Sequence, residues 1–393
     1  MALKIRVLFA IGEMSGGGSQ RQLIGILQRL DRSRFEPQLY LVSPGGELLS
    51  EVPADVPIHV FARRNNPPRW AYPGQAHRAR VRDLADVLRK EQIDVVYDRT
   101  YHMTLITAGA ARRRPTPRVS VIVTDPVRDF ETNLERFRFI KRLLLRRAYQ
   151  TADRIVAVSE GVRKAAVEHY SVPPEKVVTI YNFFDIERID RWMAEPLPPG
   201  ETRDASRFEV VAAGRLHPQK GYSYLLQAIR DLAQNRGRRQ IHLRILGTGD
   251  QERALSDYVA GHALQPNVTL AGFRANPLPY FRQADLFCLS SLYEGMPNAL
   301  VEAMLCRVPV LATDCPSGPA EVLEGGRLGR LVKAADSRAL ADAIEDAMEH
   351  PEALQDRVPA ARAYIERTFS PEAGMRQLEE LLIAVAKCGP AAS

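Results

Sequence analysis

Two glutamates, Glu294 and Glu302, lie eight positions apart within residues 289–321, in surroundings that suit the binding of a polar ligand. An apolar run, residues 284–291, precedes Glu294 and predicts a buried strand. Pro297 suits the first turn of a helix because it has no N–H to leave unbonded, so we predict a helix that begins there and carries Glu302. Helix starts attract anions. The stretch could therefore hold a ligand with hydroxyl and phosphate groups, and an ordinary strand–loop–helix unit with two solvated glutamates is the alternative.

Two cations, Arg215 and Lys220, form a second candidate site. They lie five positions apart on a loop that we predict between a strand and a helix. Arginine can bind two oxygens at once and lysine supplies a point charge, and this combination suits a diphosphate. The alternative is a pair of solvated surface charges.

A glycine-rich loop near the N-terminus forms a third candidate site. Gly17 and Gly18 follow a predicted strand, residues 4–11, and precede a stretch with helical apolar spacing, residues 22–30. Glycines allow backbone N–H groups to face an anion, although the loop matches neither the dinucleotide-binding nor the Walker motif. A flexible turn is the alternative.

The elements around these residues predict an α/β protein. Apolar strand signals alternate with helical stretches along most of the chain, which indicates open parallel sheets with helices on both faces. The length of 393 residues favours two domains. Residues 194–206 are rich in proline and polar side chains, as an interdomain linker should be. We therefore predict a first domain over residues 1–193 and a second that begins at residue 207.

The first half of the chain is basic, since residues 1–200 hold 32 Lys and Arg against 23 Asp and Glu. This charge favours an anionic partner: a membrane surface, a lipid diphosphate or a nucleic acid. The sequence lacks a nucleic-acid recognition motif, which argues against a nucleic acid as the partner.

Residues 135–150 predict an amphipathic helix, which could lie on an anionic bilayer or be a domain helix with a solvated basic face. Its apolar side would hold Phe137, Ile140, Leu144 and Ala148.

Two further features bear on localisation. No apolar run approaches the roughly 18 residues that a membrane-spanning helix needs, and the four cysteines show neither paired nor metal-ligand spacing. We predict a cytoplasmic protein, with peripheral contact at the inner face of the plasma membrane as an option.

The run EGMPNALVE at residues 294–302 resembles the E-x7-E signature of retaining glycosyltransferases of family 4, which have the GT-B fold. Residues 214–221 match the G-R-L-x-P-x-K-G pattern of the same family, and residues 314–319 are similar to bacterial enzymes that extend lipid-linked oligosaccharide, lipopolysaccharide or capsule. The resemblance implies two Rossmann-like, doubly wound parallel-sheet domains facing a cleft. The first would bind the acceptor and the second, residues 207–369, the nucleotide sugar. The last helix, residues 370–393, would return to the first domain.

The resemblance also implies roles for single residues. Arg215 and Lys220 would neutralise the departing nucleoside diphosphate. Glu294 would orient hydroxyls of the donor sugar, and Glu302 would bind the ribose hydroxyls. The other residues expected to contact the donor are Gly17, Gly18, Gly247, Gly249, Phe273, Gly295, Met296, Pro297 and Asn298.

One position departs from the family pattern. Family members usually carry a histidine after the strand that corresponds to residues 119–124, where this chain has Thr124 followed by Asp125. His102 and Asp125 are our candidates for that part of the catalytic site. Because no Asp-x-Asp motif is present, we expect neither a divalent metal nor another cofactor. We predict transfer from a nucleotide sugar, a UDP-sugar in particular, to a glycan or lipid-linked glycan. The alternatives are a GT-B-fold nucleotide-sugar epimerase and a degenerate sugar-nucleotide-binding relative.

Overall fold

The structure is a computed structural model and describes residues 4–61, 74–128 and 138–388. The chain divides into two compact units. The first comprises Met1–Phe183 and Pro371–Ser393, and the second comprises Phe184–Ser370. Each unit is built around one parallel sheet, so the α/β class predicted from the sequence is confirmed.

The first unit contains strands β1 (Ile5–Ile11), β2 (Phe35–Leu41), β3 (Ile58–Val60), β4 (Val95–Arg99), β5 (Arg118–Ile122), β6 (Arg154–Ala157) and β7 (Val177–Thr179). In the described part of this unit, these seven strands form one sheet in the order β3-β2-β1-β4-β5-β6-β7. Its described helices are Gly18–Arg29, Gln75–Lys90, Tyr101–Arg113, Arg138–Gln150, Glu160–Tyr170 and Pro371–Cys388, with 3-10 turns at Glu47–Glu51 and Pro174–Lys176.

The second unit contains strands β8 (Phe208–Ala213), β9 (Ile241–Leu246), β10 (Val268–Gly272), β11 (Leu286–Leu289), β12 (Val310–Asp314) and β13 (Arg330–Lys333). Their order is β10-β9-β8-β11-β12-β13. The helices are Ile186–Met193, Tyr222–Arg230, Glu252–Gly261, Leu278–Gln283, Asn298–Leu305, Pro319–Val322, Ser337–Glu349, Glu352–Gln355 and Val358–Thr368, with a π turn at Asp231–Asn235 and 3-10 turns at Pro218–Lys220 and Glu324–Gly326.

Apolar side chains from strands and helices form the core of each sheet layer. In the second unit, Leu243 and Ile245 of β9 share one buried cluster with Leu225 and Ile229 of helix Tyr222–Arg230. Full burial of such a side chain contributes roughly 1.5–3 kcal/mol. The continuous apolar runs that predicted these strands thus reflect burial on both faces of the sheet.

Each sheet has one switch point in its strand order. The first three strands of each unit extend the sheet in one direction, and the fourth and later strands extend it in the other, so β1 lies beside β4 and β8 lies beside β11. A crevice opens between the carboxyl ends of the two strands at such a switch point, and open α/β sheets bind ligands there. The fold therefore indicates where to look for a site in each unit.

The structure divides the chain earlier than the sequence suggested. Helix Ile186–Met193, which we predicted within the first domain, belongs to the second unit. Arg362 donates a hydrogen bond of 2.8 Å to Asp190 of this helix, and Asn276 donates one of 2.9 Å to the Trp192 carbonyl. These contacts attach the helix to the second sheet's layer, and helical spacing alone could not assign it to a unit.

The predicted linker, residues 194–206, also lies within the second unit. Glu201 pairs with Arg274 at 2.6 Å, and Arg203 pairs with Asp285 at 2.5 Å. The proline-rich composition indicated a loop correctly, but it gave no sign that charged side chains attach the loop to its own unit.

Candidate active site

The candidate site of the second unit lies where the chain leaves β8 and β11. These neighbouring strands are parallel and in register, so both end at the same edge of the sheet. The loop after β8 carries Arg215 and Lys220, and the loop after β11 carries Glu294. The switch point of the sheet therefore gathers three residues that the sequence singled out.

Lys220 and Glu294 form an ion pair at this edge, with Nζ 2.6 Å from Oε1. The Ser291 hydroxyl donates a second hydrogen bond of 2.6 Å to the same oxygen. Only 6% of the Glu294 side chain and 18% of the Lys220 side chain are exposed. Ions buried this far depend on each other, because removal of one leaves an uncompensated charge. The fold thus brings together residues that are 74 positions apart in the sequence.

The Glu294 carboxylate presents its two oxygens differently. Within the described residues, the hydrogen bonds and the ion pair to this carboxylate all fall on Oε1. Oε2 is left to accept a hydrogen bond from a ligand. Because a charge-assisted bond and a hydroxyl hold Oε1, the direction of Oε2 is fixed as well. This geometry suits the orientation of a ligand hydroxyl.

The two loops are held together by their backbones. Gly221 has φ +62, and a Cβ there would lie 2.1 Å from the Ser290 carbonyl oxygen. The Ser290 hydroxyl donates to the Lys220 carbonyl at 2.8 Å, and the Leu292 N–H donates to the Gln219 carbonyl at 2.7 Å. Only glycine allows this approach, and the contact fixes the position of Lys220 relative to the following loop.

The predicted donor-contacting glycines Gly247 and Gly249 are packed against the loop that follows β8. A Cβ on Gly247, which has φ +142, would lie 2.0 Å from the Gly214 carbonyl oxygen, and one on Gly249 would lie 2.4 Å from the Leu216 carbonyl oxygen. Close approach of two backbones thus requires both glycines. This packing supports the shape of the site whether or not a ligand also contacts them.

Arg215 differs from Lys220 in its exposure. Its side chain is 69% exposed, and the Asp250 carboxylate is 4.0 Å from its guanidinium. An exposed arginine can turn toward an anionic ligand at little cost.

His217 lies between the two cations and was not singled out from the sequence. Burial, together with the positive charges of Arg215 and Lys220, lowers the pKa of its imidazole. Its Nδ1 accepts a hydrogen bond of 3.2 Å from the Gln219 N–H and so caps a 3-10 turn.

The helix that carries Glu302 begins one residue later than predicted. It spans Asn298–Leu305, and Pro297 precedes it as the N-cap with φ −79 and ψ 78. The prediction of a first helical turn at Pro297 is therefore wrong by one residue, because the ψ angle of this proline is not helical. Glu302 lies on the helix as predicted and is half-buried.

The remaining predicted contacts of this unit vary in exposure. Gly295 is buried, and a Cβ on Gly318, which has φ +105, would lie 2.8 Å from the Gly295 carbonyl oxygen. Met296 is buried, so its side chain packs in the interior. The Phe273 side chain is 42% exposed, and its ring is accessible for stacking.

In the first unit, Gly17 and Gly18 stand at the start of helix Gly18–Arg29, beside the switch point of the sheet. Gly17 is the N-cap with φ −76 and ψ 161, extended backbone that any residue adopts. Arg99, the last residue of β4, is only 3% exposed, and its Nε lies 3.3 Å from the Ser19 hydroxyl. Arg99 was not predicted as a site residue, although a charged residue at the end of a predicted buried strand could have indicated it.

His102 and Asp125 occupy different settings in the first unit. His102 is exposed at the start of helix Tyr101–Arg113, with its ring 4.0 Å from the Tyr101 ring. Asp125 is buried, and its Oδ1 accepts hydrogen bonds of 3.0 Å from two following backbone N–H groups. The geometry gives Asp125 a capping role and leaves His102 accessible to a ligand.

Positive charge at the candidate site comes from Arg215 and Lys220. Across the three described ranges, no group of three or more His, Cys, Asp or Glu side chains is placed to hold a metal ion. In the same ranges, no helix combines the length and the apolar character needed to cross a bilayer.

Known protein families match both halves of the chain. The family described as Glycosyltransferase Family 4 matches residues 16–188, and the family described as Glycosyl transferases group 1 matches residues 207–350. The Campylobacter jejuni enzyme N-acetylgalactosamine-N,N'-diacetylbacillosaminyl-diphospho-undecaprenol 4-alpha-N-acetylgalactosaminyltransferase is 27% identical over 210 residues, 53% of this chain and 54% of that protein. The putative colanic acid biosynthesis glycosyltransferase WcaL of Salmonella typhimurium is 32% identical over 222 residues, 53% of this chain and 52% of that protein. The chain thus spans about half the length of the curated relatives it matches.

A solved structure has the same fold over nearly the whole chain. The crystal structure of Anabaena Alr3699/HepE in complex with UDP and glucose has a TM-score of 0.79 at 23% identity, and the match covers 96% of this chain and 99% of that one. The two family matches together take in most of both units. This chain belongs to the family 4 glycosyltransferases and has their GT-B fold of two Rossmann-like domains.

Proposed function

We propose that this protein is a retaining glycosyltransferase that moves a sugar from a UDP-sugar to a hydroxyl of a glycan or lipid-linked glycan. The observation that carries the proposal is the cluster of Lys220, Ser291 and Glu294 at the switch point of the second sheet, in which Lys220 and Ser291 both hold Glu294 Oε1 and leave Oε2 able to accept from a ligand. The Campylobacter jejuni relative, named for a lipid-diphosphate acceptor, supports the acceptor class, and the UDP complex of the Anabaena protein supports the donor.

The proposed reaction breaks the bond between the anomeric carbon and the diphosphate oxygen and forms a bond from that carbon to the acceptor oxygen. Lys220 and Arg215 stabilise the negative charge that develops on the diphosphate, and such fixed positive charge is a large catalytic contribution. The acceptor attacks from the face that the diphosphate leaves, which retains the configuration, and its proton passes to a diphosphate oxygen. Glu294 Oε2 accepts from a donor-sugar hydroxyl, and Glu302 binds the ribose hydroxyls.

We also propose that transfer requires neither a cofactor nor a divalent ion, because two side-chain cations serve the diphosphate. His102 is the accessible candidate on the acceptor side, and the Asp125 carboxylate supports the loop beside it through its backbone hydrogen bonds. Full activity after treatment with a chelator is the expected result. Activity restored only by added Mg²⁺ or Mn²⁺ would contradict this part.

The test of the proposal is sugar transfer from UDP-, GDP-, ADP- and TDP-sugars to lipid acceptors extracted from bacterial membranes. Labelled sugar should appear in the lipid fraction with a UDP-sugar, and NMR of the product should show the anomeric configuration of the donor. Glu294→Gln should lose most of the activity, whereas Glu352→Gln, at an exposed site of the same unit, should retain it.

Other outcomes would overturn the proposal in defined ways. Conversion of the nucleotide sugar to an epimer without any acceptor would indicate an epimerase on the same fold. Nucleotide binding without turnover of any sugar nucleotide would indicate a degenerate relative. Inverted configuration in the product would refute the retaining mechanism alone.

A further inference from the structure

Helix Arg138–Gln150 has two apolar sides, and only one of them is buried. Leu145, Ala148 and Tyr149 lie in the core of the first unit. The opposite side carries Phe139, Ile140, Leu143 and Leu144, which are 82%, 55%, 59% and 51% exposed. We call these four residues the apolar patch.

The apolar patch differs from the apolar side predicted from the sequence. Ala148 is buried in the unit, and Phe137 lies outside the described residues. Ile140 and Leu144 were expected on an apolar side and are in fact exposed. Elsewhere in the described chain, Ile58 and Phe273 are the large apolar side chains of comparable exposure. A concentration of exposed apolar residues on one helix face marks an interaction surface.

Cations surround the apolar patch. Arg142 and Arg146 are exposed along its flank, and Arg147 is exposed one turn beyond Leu143 on the same side of the helix. Helix Arg138–Gln150 contains no acidic residue. An apolar helix face bordered by arginines is complementary to an anionic bilayer, where the apolar groups enter the acyl boundary and the cations meet the headgroups.

We propose that the apolar patch and these arginines dock the protein on an anionic membrane surface. The patch also lies near a candidate acceptor residue: Lys141 Nζ is 3.9 Å from the centroid of the Tyr101 ring, and His102 follows. Helix Tyr101–Arg113 begins at the carboxyl end of β4, which is one side of the switch point of the first sheet. Docking here places the bilayer next to the side of the unit where a lipid-linked acceptor would enter, and this last step rests on the proposed function.

The experiment measures binding of the full chain to vesicles of phosphatidylcholine alone and of equal parts phosphatidylcholine and phosphatidylglycerol. Wild type should bind the anionic vesicles, and binding should fall as salt is raised. The double variant Phe139→Ser/Leu143→Ser should weaken partitioning by about tenfold or more. Replacing Arg142, Arg146 and Arg147 by Gln should weaken it by about fivefold per residue removed.

Two matched variants serve as controls. Ile58→Ser replaces an exposed apolar residue elsewhere in the first unit, and Arg89→Gln removes an exposed arginine from another helix. Both should bind vesicles as wild type does, and thermal unfolding of every variant should show that the fold is kept. Equal binding to neutral vesicles, or unchanged binding by the patch variants, would overturn the proposal.

Self-association and nucleotide binding separate the remaining outcomes. If ultracentrifugation shows a dimer that the Phe139→Ser/Leu143→Ser variant loses, and vesicles are not bound, the patch is an interface between copies of this chain and the proposal fails. UDP binding is measured on the same samples. If wild type binds UDP but does not bind anionic vesicles, only the docking surface is refuted, whereas failure of wild type to bind any nucleotide refutes the proposed function.

Discussion

Removal of the Ser291 hydroxyl should weaken the proposed donor site without removing either member of its Lys220–Glu294 ion pair. Ser291 is fully buried, and its hydroxyl donates a hydrogen bond of 2.6 Å to Glu294 Oε1. In Ser291→Ala, Lys220 still neutralises the carboxylate, but the second contact that fixes its rotation is gone. Glu294 Oε2 is then no longer held in one direction.

The size of the expected effect follows from the strength of the hydrogen bond between Ser291 and Glu294. A hydrogen bond to a charged group contributes about 1.5–3 kcal/mol, and each 1.4 kcal/mol corresponds to about tenfold in an equilibrium or rate constant. The retained Lys220 contact keeps the loss near the lower end of that range. We therefore expect kcat/KM for the donor to fall by roughly tenfold, and by no more than roughly a hundredfold.

The assay is steady-state transfer at saturating acceptor, with stability measured by chemical denaturation. Thr313→Val is the matched control, because the Thr313 hydroxyl donates at 2.5 Å to the Ser291 carbonyl and contacts no carboxylate. Both variants should lose stability, but only Ser291→Ala should lose kcat/KM for the donor. A kcat/KM for Ser291→Ala within about twofold of wild type would contradict this role of the Ser291 hydroxyl.

Three further predictions concern packing and charge in the two units. Gly247→Ala should lower the melting temperature and weaken nucleotide binding, because its Cβ would lie 2.0 Å from the Gly214 carbonyl oxygen; thermal unfolding and nucleotide titration check this. Arg118→Met should cost about 3–5 kcal/mol in chemical denaturation, because the guanidinium lies 3.7 Å from Asp98 in a fully buried pair. Glu209→Gln should make the free energy of unfolding depend less on pH on the acid side. Burial raises the pKa of the Glu209 carboxyl, but hydrogen bonds from a neighbouring histidine and arginine outweigh burial and hold this pKa below its usual value. The stability this residue contributes is therefore present above its ordinary pKa and lost as the pH falls through the native one.

Controls make these three predictions specific. Gly237→Ala places a side chain at φ +73 with open space around it, so equal damage from it and from the Gly247 variant would contradict the argument from close approach. Adding Asp98→Asn to the Arg118 variant should recover part of the stability, and no recovery would show that the loss was one of packing. Glu352→Gln, at an exposed site, should leave the acid slope as in wild type.

Sequence patterns predicted the sheets well, for a physical reason. Strands such as β8 and β11 are buried on both faces, and such strands give continuous apolar runs. The candidate site was predictable to the extent that it follows from chain connectivity, since Lys220 and Glu294 each follow a strand of the same sheet. Ser291 was missed because a hydroxyl at the end of an apolar run gives no sign of the side chain it meets.

The remaining differences concern which surfaces a segment contacts. Periodicity identified helix Arg138–Gln150, but it could not tell whether Ile140 or Leu145 faces the core, since both belong to apolar sides. Composition identified residues 194–206 as a loop, yet the attachment of that loop depends on Glu201 meeting Arg274 across 73 positions. Long-range pairing of this kind is not encoded in a local pattern.

A thermal-shift series with UDP, GDP, ADP and TDP on wild type, Arg215→Ala and Glu302→Ala, with Glu352→Gln as the control, tests the proposed donor site directly. A ligand that binds only the folded state raises its melting temperature. We expect UDP to raise the melting temperature of wild type and of Glu352→Gln, and both site variants to lose this shift. No shift with any nucleotide, or the same shift in all four proteins, would contradict a donor site at the switch point of the second sheet.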